Sequence, residues 1–269
     1  MLFGKSVHGT RRDLKRLAER EPIPSYHKAT TAVVLTAIAG YVDVVGYLSL
    51  SHILNANMSG NTVAIAYRTI EQRGDLALHR GWAVLMFIVG LFVAAFIHEI
   101  GHRRKFRPVA AVTLGIEALL LAAYVYLGTP RLQGAEIKPS PAMFYALLAF
   151  STLAMGIQNA TLTRVGALSV RTTHVTGTIS KFAEAGSRYL FWLYDRMHAG
   201  RSWGFAMKAS RKQRDFIHSV LTAISWMAFL AGAFAGAWLR QRIELRSLYL
   251  PVAILATISI SDVFVPLAE

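Results

Sequence analysis

Six apolar runs follow one another along the chain, at 31–50, 82–97, 109–127, 142–157, 220–239 and 248–265, separated by shorter segments that carry most of the charge. Each approaches the roughly 20 apolar residues a helix needs to cross about 30 Å of hydrocarbon. The pattern predicts an all-α, polytopic membrane protein of about six transmembrane helices. One stretch breaks it. Between the first two runs stands Asn57-Met58-Ser59-Gly60-Asn61-Thr62, polar and glycine-containing, and a second such stretch, His174-Val175-Thr176-Gly177-Thr178, follows the fourth run. Polar backbone at membrane depth is tolerated only where protein or a water-filled cavity satisfies its NH and CO groups. These two interruptions are therefore the first places to expect a site.

The interruptions are related. Gly40-Tyr41-Val42-Asp43 in the first run corresponds to Gly156-Ile157-Gln158-Asn159 in the fourth, with nearly equal spacing onward to Ser59-Gly60 and Thr176-Gly177. Gly90 matches Gly232, and Arg107-Pro108-Val109-Ala110 matches Leu250-Pro251-Val252-Ala253. A unit of three spans is thus duplicated, as 29–128 and 142–267. Three is odd, so the second copy enters from the opposite side, and the expected architecture is two inverted three-helix repeats with interrupted helices. That arrangement points to a transporter with a midplane site. Gly90-x-x-x-Ala94 and Gly232-x-x-x-Gly236 read instead as helix-packing positions.

Composition agrees with a bilayer protein: 54% of residues are apolar and the mean hydropathy is +0.40. The net charge of +14 would suit nucleic acid, but its distribution does not. With the amino terminus cytoplasmic, 21 of the 29 lysines and arginines fall in inner segments and 8 in outer ones. This is the positive-inside pattern. It implies that the basic loops and both termini are cytoplasmic, with no nucleic-acid partner. No secretory signal is expected in the basic segment 1–28, and zero cysteines remove disulfides and thiolate metal sites. Residues 186–214 lack a counterpart in the first repeat and read as a basic amphipathic helix with Trp192 and Trp203, lying in the cytoplasmic interface.

Ionisable groups inside spans are functional hypotheses by default. Asp43 and Glu117 are the candidates for proton coupling, since a buried carboxylate can be protonated on one side and released on the other. Asp43 could equally be a helix lock paired with Arg164 or Arg171. Asn57, Ser59, Gly60, Asn61 and Thr62 from one interruption, and Thr176, Gly177 and Thr178 from the other, are the candidates for contacting a small polar solute. Asn159 and Arg171 complete the set, the latter as a counter-ion. A reading from another class rests on His98-Glu99-Ile100-Gly101-His102, which is H-E-x-x-H and would make His98 and His102 zinc ligands of a membrane metalloprotease, with Asp262 as a third ligand. Gly101 and the cations Arg103, Arg104 and Lys105 argue against it. A third reading is a non-transporting membrane scaffold or sensor whose basic insertion docks a partner.

The chain resembles the YoaK-like family of bacterial inner-membrane proteins. The resemblance is carried by residues 39–47, beginning Ala39-Gly40-Tyr41-Val42-Asp43, by Asn57-Met58-Ser59-Gly60-Asn61-Thr62, by Met155-Gly156-Ile157-Gln158-Asn159-Ala160, and by residues 168–178, ending His174-Val175-Thr176-Gly177-Thr178. It implies a polytopic inner-membrane protein of a kind described as a permease or exporter with no established substrate. The zinc motif is not part of the likeness. The expectation is therefore a transporter or exporter of a small polar solute, not an enzyme, needing no cofactor, with the lipid bilayer and the solute as partners; a homodimer suits a chain of this size.

Overall fold

A computed structural model describes residues 25–106, 108–132, 140–165, 175–198, 210 and 213–267. Every regular element among them is helical: α1 (Tyr26–Ser49), α2 (Met58–Ile70), α3 (Gly74–Arg103), α4 (Val109–Leu132), α5 (Pro141–Val165), α6 (Val175–His198), α7 (Arg214–Ile243), a 3-10 turn (Glu244–Leu248) and α8 (Tyr249–Phe264). Among the described residues, five stretches are long and apolar enough to cross a membrane: Tyr26–Ser49, Gly74–Arg103, Val109–Pro130, Pro141–Thr161 and Arg214–Phe264. The last holds both the fifth and sixth runs. Glu244 breaks it with φ 53° and ψ −136°, leaving α8 only 16 residues long behind the 3-10 turn. The chain is a multi-pass membrane protein, and its apolar distribution shows why. Phe92, Phe96, Leu119, Phe234, Trp238 and Phe264 stand exposed, while Asn61, Glu117, Thr113 and Gln158 are fully buried. Large apolar side chains outside and polar ones within suit a lipid solvent.

Two close crossings hold the bundle. At one, Gly40 of α1 lies under the Phe229 carbonyl of α7 and Gly232 under that of Ala37; an added Cβ would stand 2.1 and 1.9 Å from those oxygens. At the other, Gly156 of α5 meets the Phe87 carbonyl of α3 and Gly90 meets that of Leu153, each at 2.3 Å from an added Cβ. The same four positions recur, displaced by 116 residues from α1 to α5 and 142 from α3 to α7. Small residues let backbones approach this closely in lipid, where packing rather than water exclusion drives association. The packing role expected for Gly90 and Gly232 is what these contacts are.

Each crossing pair runs parallel. Along α1 and α7, Ala37 meets Gly232, Tyr41 meets Gly236, and Ser49 receives Arg240. Along α3 and α5, Trp82 donates to the Tyr145 carbonyl and Gly90 meets Leu153 further on. By contrast α4 and α8 run antiparallel, with Ala111 held by Asp262 and Gly115 against Ser259. α2 packs chiefly on α3, and α6 on α7. α6 continues through Gly186 without a break, so the basic amphipathic segment begins inside this helix.

Candidate functional site

The chain leaves α1 through a left-handed turn. Ser51 and His52 have φ of 50° and 58°, and the His52 N–H reaches back to the Tyr47 carbonyl at 3.0 Å. Such a turn satisfies carbonyls that the helix end leaves open. Arg240 of α7 takes another, donating to the Leu48 carbonyl at 2.9 Å and the Ser49 hydroxyl at 3.0 Å. From there the chain does not leave the bundle. Ile53, Asn55 and Ala56 are buried, and the Asn55 and Ala56 amides both donate to Asp43 Oδ1, at 2.7 and 2.8 Å. Asp43 is six residues before the end of α1, about 9 Å along the helix. The irregular segment 50–57 therefore turns back to span depth before α2 begins. α2 then leads out again: Gly74 opens α3 one short turn after Ile70, and Arg80 of α3 donates to the His52 carbonyl at 3.3 Å. Residues 50–70 enter and exit on one side, forming a re-entrant hairpin.

Its tip is fastened from both chains of the hairpin. Asn61 of α2, fully buried, donates through Nδ2 to the Leu54 carbonyl at 2.7 Å. Asn55 Nδ2 lies 3.5 Å from the Val42 carbonyl and packs so tightly on Gly46 that an added Cβ there would stand 1.6 Å from it. Two acceptors are left over: Asn55 Oδ1 and Asn61 Oδ1 are buried without a hydrogen-bond partner. Buried acceptors of this kind ordinarily find a partner, so these two oxygens are unfilled polar positions at the hairpin tip.

The expected site residues fall into distinct places. Asn57 is the N-cap of α2, accepting from Gly60 N at 3.4 Å and from the Ser59 hydroxyl at 2.7 Å. Asn57, Ser59 and Thr62 are exposed, Thr62 being turned back on the Met58 carbonyl, and only Asn61 of this group faces inward. The break in the helical path is thus 50–57, and Ser59-Gly60-Asn61-Thr62 already belong to α2. In the second repeat Thr176 and Gly177 are exposed in the first turn of α6 and Thr178 is buried. Asn159 is buried on α5. Arg171, His174 and the Arg164 side chain lie outside the described residues, as does the segment 1–24. The hairpin tip brings Asp43, Asn55 and Asn61 together; the α6 residues sit against α7 instead. On α6, Arg188 pairs with Asp215 at 2.9 Å and with Glu184. Partial burial opposes its charge, but these two partners outweigh that and hold the guanidinium above its ordinary range.

Glu117 is fully buried on α4 and sits apart from the hairpin. Of the zinc motif, His98 is buried and His102 exposed, Glu99 pairs with Arg103 at 2.7 Å, and Asp262 takes the Ala111 and Leu267 amides at 2.6 Å each. Among the described residues no three potential metal ligands gather. Sequence reasoning passed over Asn55, Gly46 and Arg240. Gly46 was readable as a small residue one turn past Asp43, but nothing local marked Arg240 as the cap of a helix ending 191 positions earlier.

A family profile described as "Protein of unknown function (DUF1275)" matches residues 31–261. The chain belongs to this family. It is 27% identical over 165 residues to "UPF0700 transmembrane protein YoaK" of Bacillus subtilis (strain 168), covering 61% of this chain and 70% of that protein. It is 28% identical over 217 residues to "UPF0700 transmembrane protein RA0705" of Rhizobium meliloti (strain 1021), covering 81% and 78%. No solved structure matches. Both relatives are described as transmembrane proteins and neither description names a reaction. The DUF1275 match includes the re-entrant hairpin, both glycine crossings and all of α7.

Proposed function

We propose that the protein carries a small polar solute across the bacterial inner membrane, working as two inverted three-span repeats with the basic loops cytoplasmic. The observation that carries this reading is the re-entrant hairpin, fastened at span depth by Asp43 and Asn61 with the Asn55 and Asn61 side-chain oxygens unfilled at its tip. Structural hairpins need no such leftover acceptors, whereas a solute-binding tip does. Two further facts support inversion. The crossings recur at corresponding positions, and α1 runs parallel to α7 while α3 runs parallel to α5. Since the hairpin makes α1 and α3 antiparallel, α5 opposes α1 and α7 opposes α3, the direction reversal on which alternating-access folds rely.

In this reading Asn61 and Asn55 contact the solute from the first repeat, joined by Asn57 and Ser59 as it enters. Asn159, Arg171, Thr176 and Thr178 supply the corresponding contacts from the second. The test is a thermal-shift screen of purified protein against metabolites grouped by chemical class, followed by counterflow of any responsive solute in proteoliposomes. One class is expected to stabilise the wild type and to lose about tenfold in apparent affinity in Asn61→Ala, as removal of one buried hydrogen-bonding contact implies. Unchanged stabilisation and flux in folded Asn61→Ala protein would contradict the assignment.

A further inference from the structure

Two of the carboxylates buried in the spans, Asp43 and Glu117, are held in opposite ways. Asp43 has one oxygen engaged by two backbone amides. Glu117 is 0% exposed and neither of its oxygens has a hydrogen-bond partner. A second group shares this condition: Gln158 of α5 is also 0% exposed, with both its amide nitrogen and its oxygen unpartnered. α4 and α5 pack on one another. Glu117 comes eight residues after Val109 and Gln158 seven before Val165, about 12 and 10 Å from the same end of the bundle. Their faces agree as well. Glu117 lies opposite Leu119, which is 71% exposed, and Gln158 lies opposite Gly156, which meets α3. Both side chains are therefore turned into the bundle at one depth.

An isolated carboxylate charge in such a place is strongly unfavourable unless something positive meets it. Among the described residues nothing of the kind meets Glu117. The charged and titratable groups on the elements around α4 are otherwise engaged or distant. Asp262 of α8 is held by the Ala111 and Leu267 amides, and His98 of α3 has a partner of its own. Glu99 pairs with Arg103 at the helix end, Arg246 and Tyr249 lie at the far end of α4 beside Tyr126 and Leu127, and Glu117 enters no ion pair among the described residues.

We propose that Glu117 and Gln158 form a buried site for a single monovalent cation, held either as a proton on Glu117 or as Na⁺ shared between the Glu117 carboxylate and Gln158 Oε1. The proton arm is a simple transfer, water or hydronium on the inner side giving its proton to a carboxylate oxygen and receiving it back, with no other bond changed. This rests on the transport reading for its purpose, the cation being what drives or exchanges with the solute. It assigns Asp43 a positioning role, holding the hairpin tip, and moves coupling to α4.

The experiment reads cation binding without any solute. Melting of the purified protein in detergent is followed in NaCl against KCl and choline chloride at equal ionic strength, and across about pH 5 to 9, for the wild type and Glu117→Gln. A bound cation stabilises the native state in proportion to its occupancy. The wild type is expected to gain about 3 to 10 °C with Na⁺ if that ion is the ligand, or to lose as much with rising pH if it is the proton. Glu117→Gln should respond to neither. Equal responses in both proteins would overturn the site. If Glu117→Gln does not fold, an apolar carbodiimide, which attacks carboxyl groups, is applied to the wild type and the Glu117 peptide is weighed. Labelling slowed several-fold by Na⁺ or by alkali supports the site, and labelling indifferent to both, or none, rejects it. Cation linkage without solute flux would reject transport and keep the site; flux without cation linkage would do the reverse.

Discussion

Asp43 shows how one side chain shapes a membrane protein. Its Oδ1 accepts two amides from residues twelve and thirteen positions later, so the backbone of 53–56 stays at a depth where water cannot satisfy it. Asp43→Ala would orphan both amides. A loss of about 2 to 4 kcal/mol is expected, seen as a lower melting temperature. Asp43→Asn keeps an acceptor and should lose about 1 kcal/mol. If the two variants melted alike, the amide bonds would not be what Asp43 contributes. The residue itself was legible in the sequence as a carboxylate in an apolar run. Its partners were not. Amides leave no mark in a sequence, and Arg164 or Arg171 was the more natural guess for a charge. Asn61 was legible as a polar residue of the interruption, yet its inward direction, and the outward one of Ser59 and Thr62, depend on where α2 starts.

At the scale of elements, the spans were readable because apolar runs of this length have few other uses, and the glycine crossings because small residues recur at matching places in the two repeats. The crossings give a sharp comparison. Gly232→Val should push α7 from Ala37 and destabilise by about 1 to 3 kcal/mol. Gly81→Ala in α3, where an added Cβ meets nothing within 4 Å, should stabilise by about 0.5 to 1 kcal/mol through helix propensity. Melting both variants checks this, and equal effects would remove the packing account. The turns were harder to read. The chain reverses with positive φ at Ser51, His52, Gln72, Lys105 and Glu244, none of them a glycine or proline that would announce a turn. The break at Glu244 is why one apolar stretch of 51 residues divides into α7 and α8. The re-entrant path of 50–57 was hidden for a related reason. An irregular, partly buried segment beside a helix has no periodicity of its own, and the Asp43 and Asn61 bonds hold it in place.

For the whole molecule, large apolar side chains such as Phe92, Phe96 and Phe234 stand exposed, while Asn61, Glu117 and Gln158 are buried beside an apolar core, the arrangement of a chain whose solvent is lipid. The duplication read from Gly40, Gly156, Gly90 and Gly232 becomes, in three dimensions, the same crossing made twice. The reversal between the copies on which the proposed transport reading relies requires that residues 50–70 enter and leave on one side. The absence of cysteine from the chain makes this directly measurable. Ser51→Cys, Gln72→Cys, Glu244→Cys and Lys105→Cys would each be made singly and exposed in intact cells to a membrane-impermeant maleimide. Ser51, Gln72 and Glu244 are expected to label from outside, and Lys105 only after the membrane is opened. Labelling of Ser51 and Gln72 from opposite sides would mean that α2 crosses the membrane, and with it the re-entrant hairpin, the inverted repeats and the transport site built on them would fall.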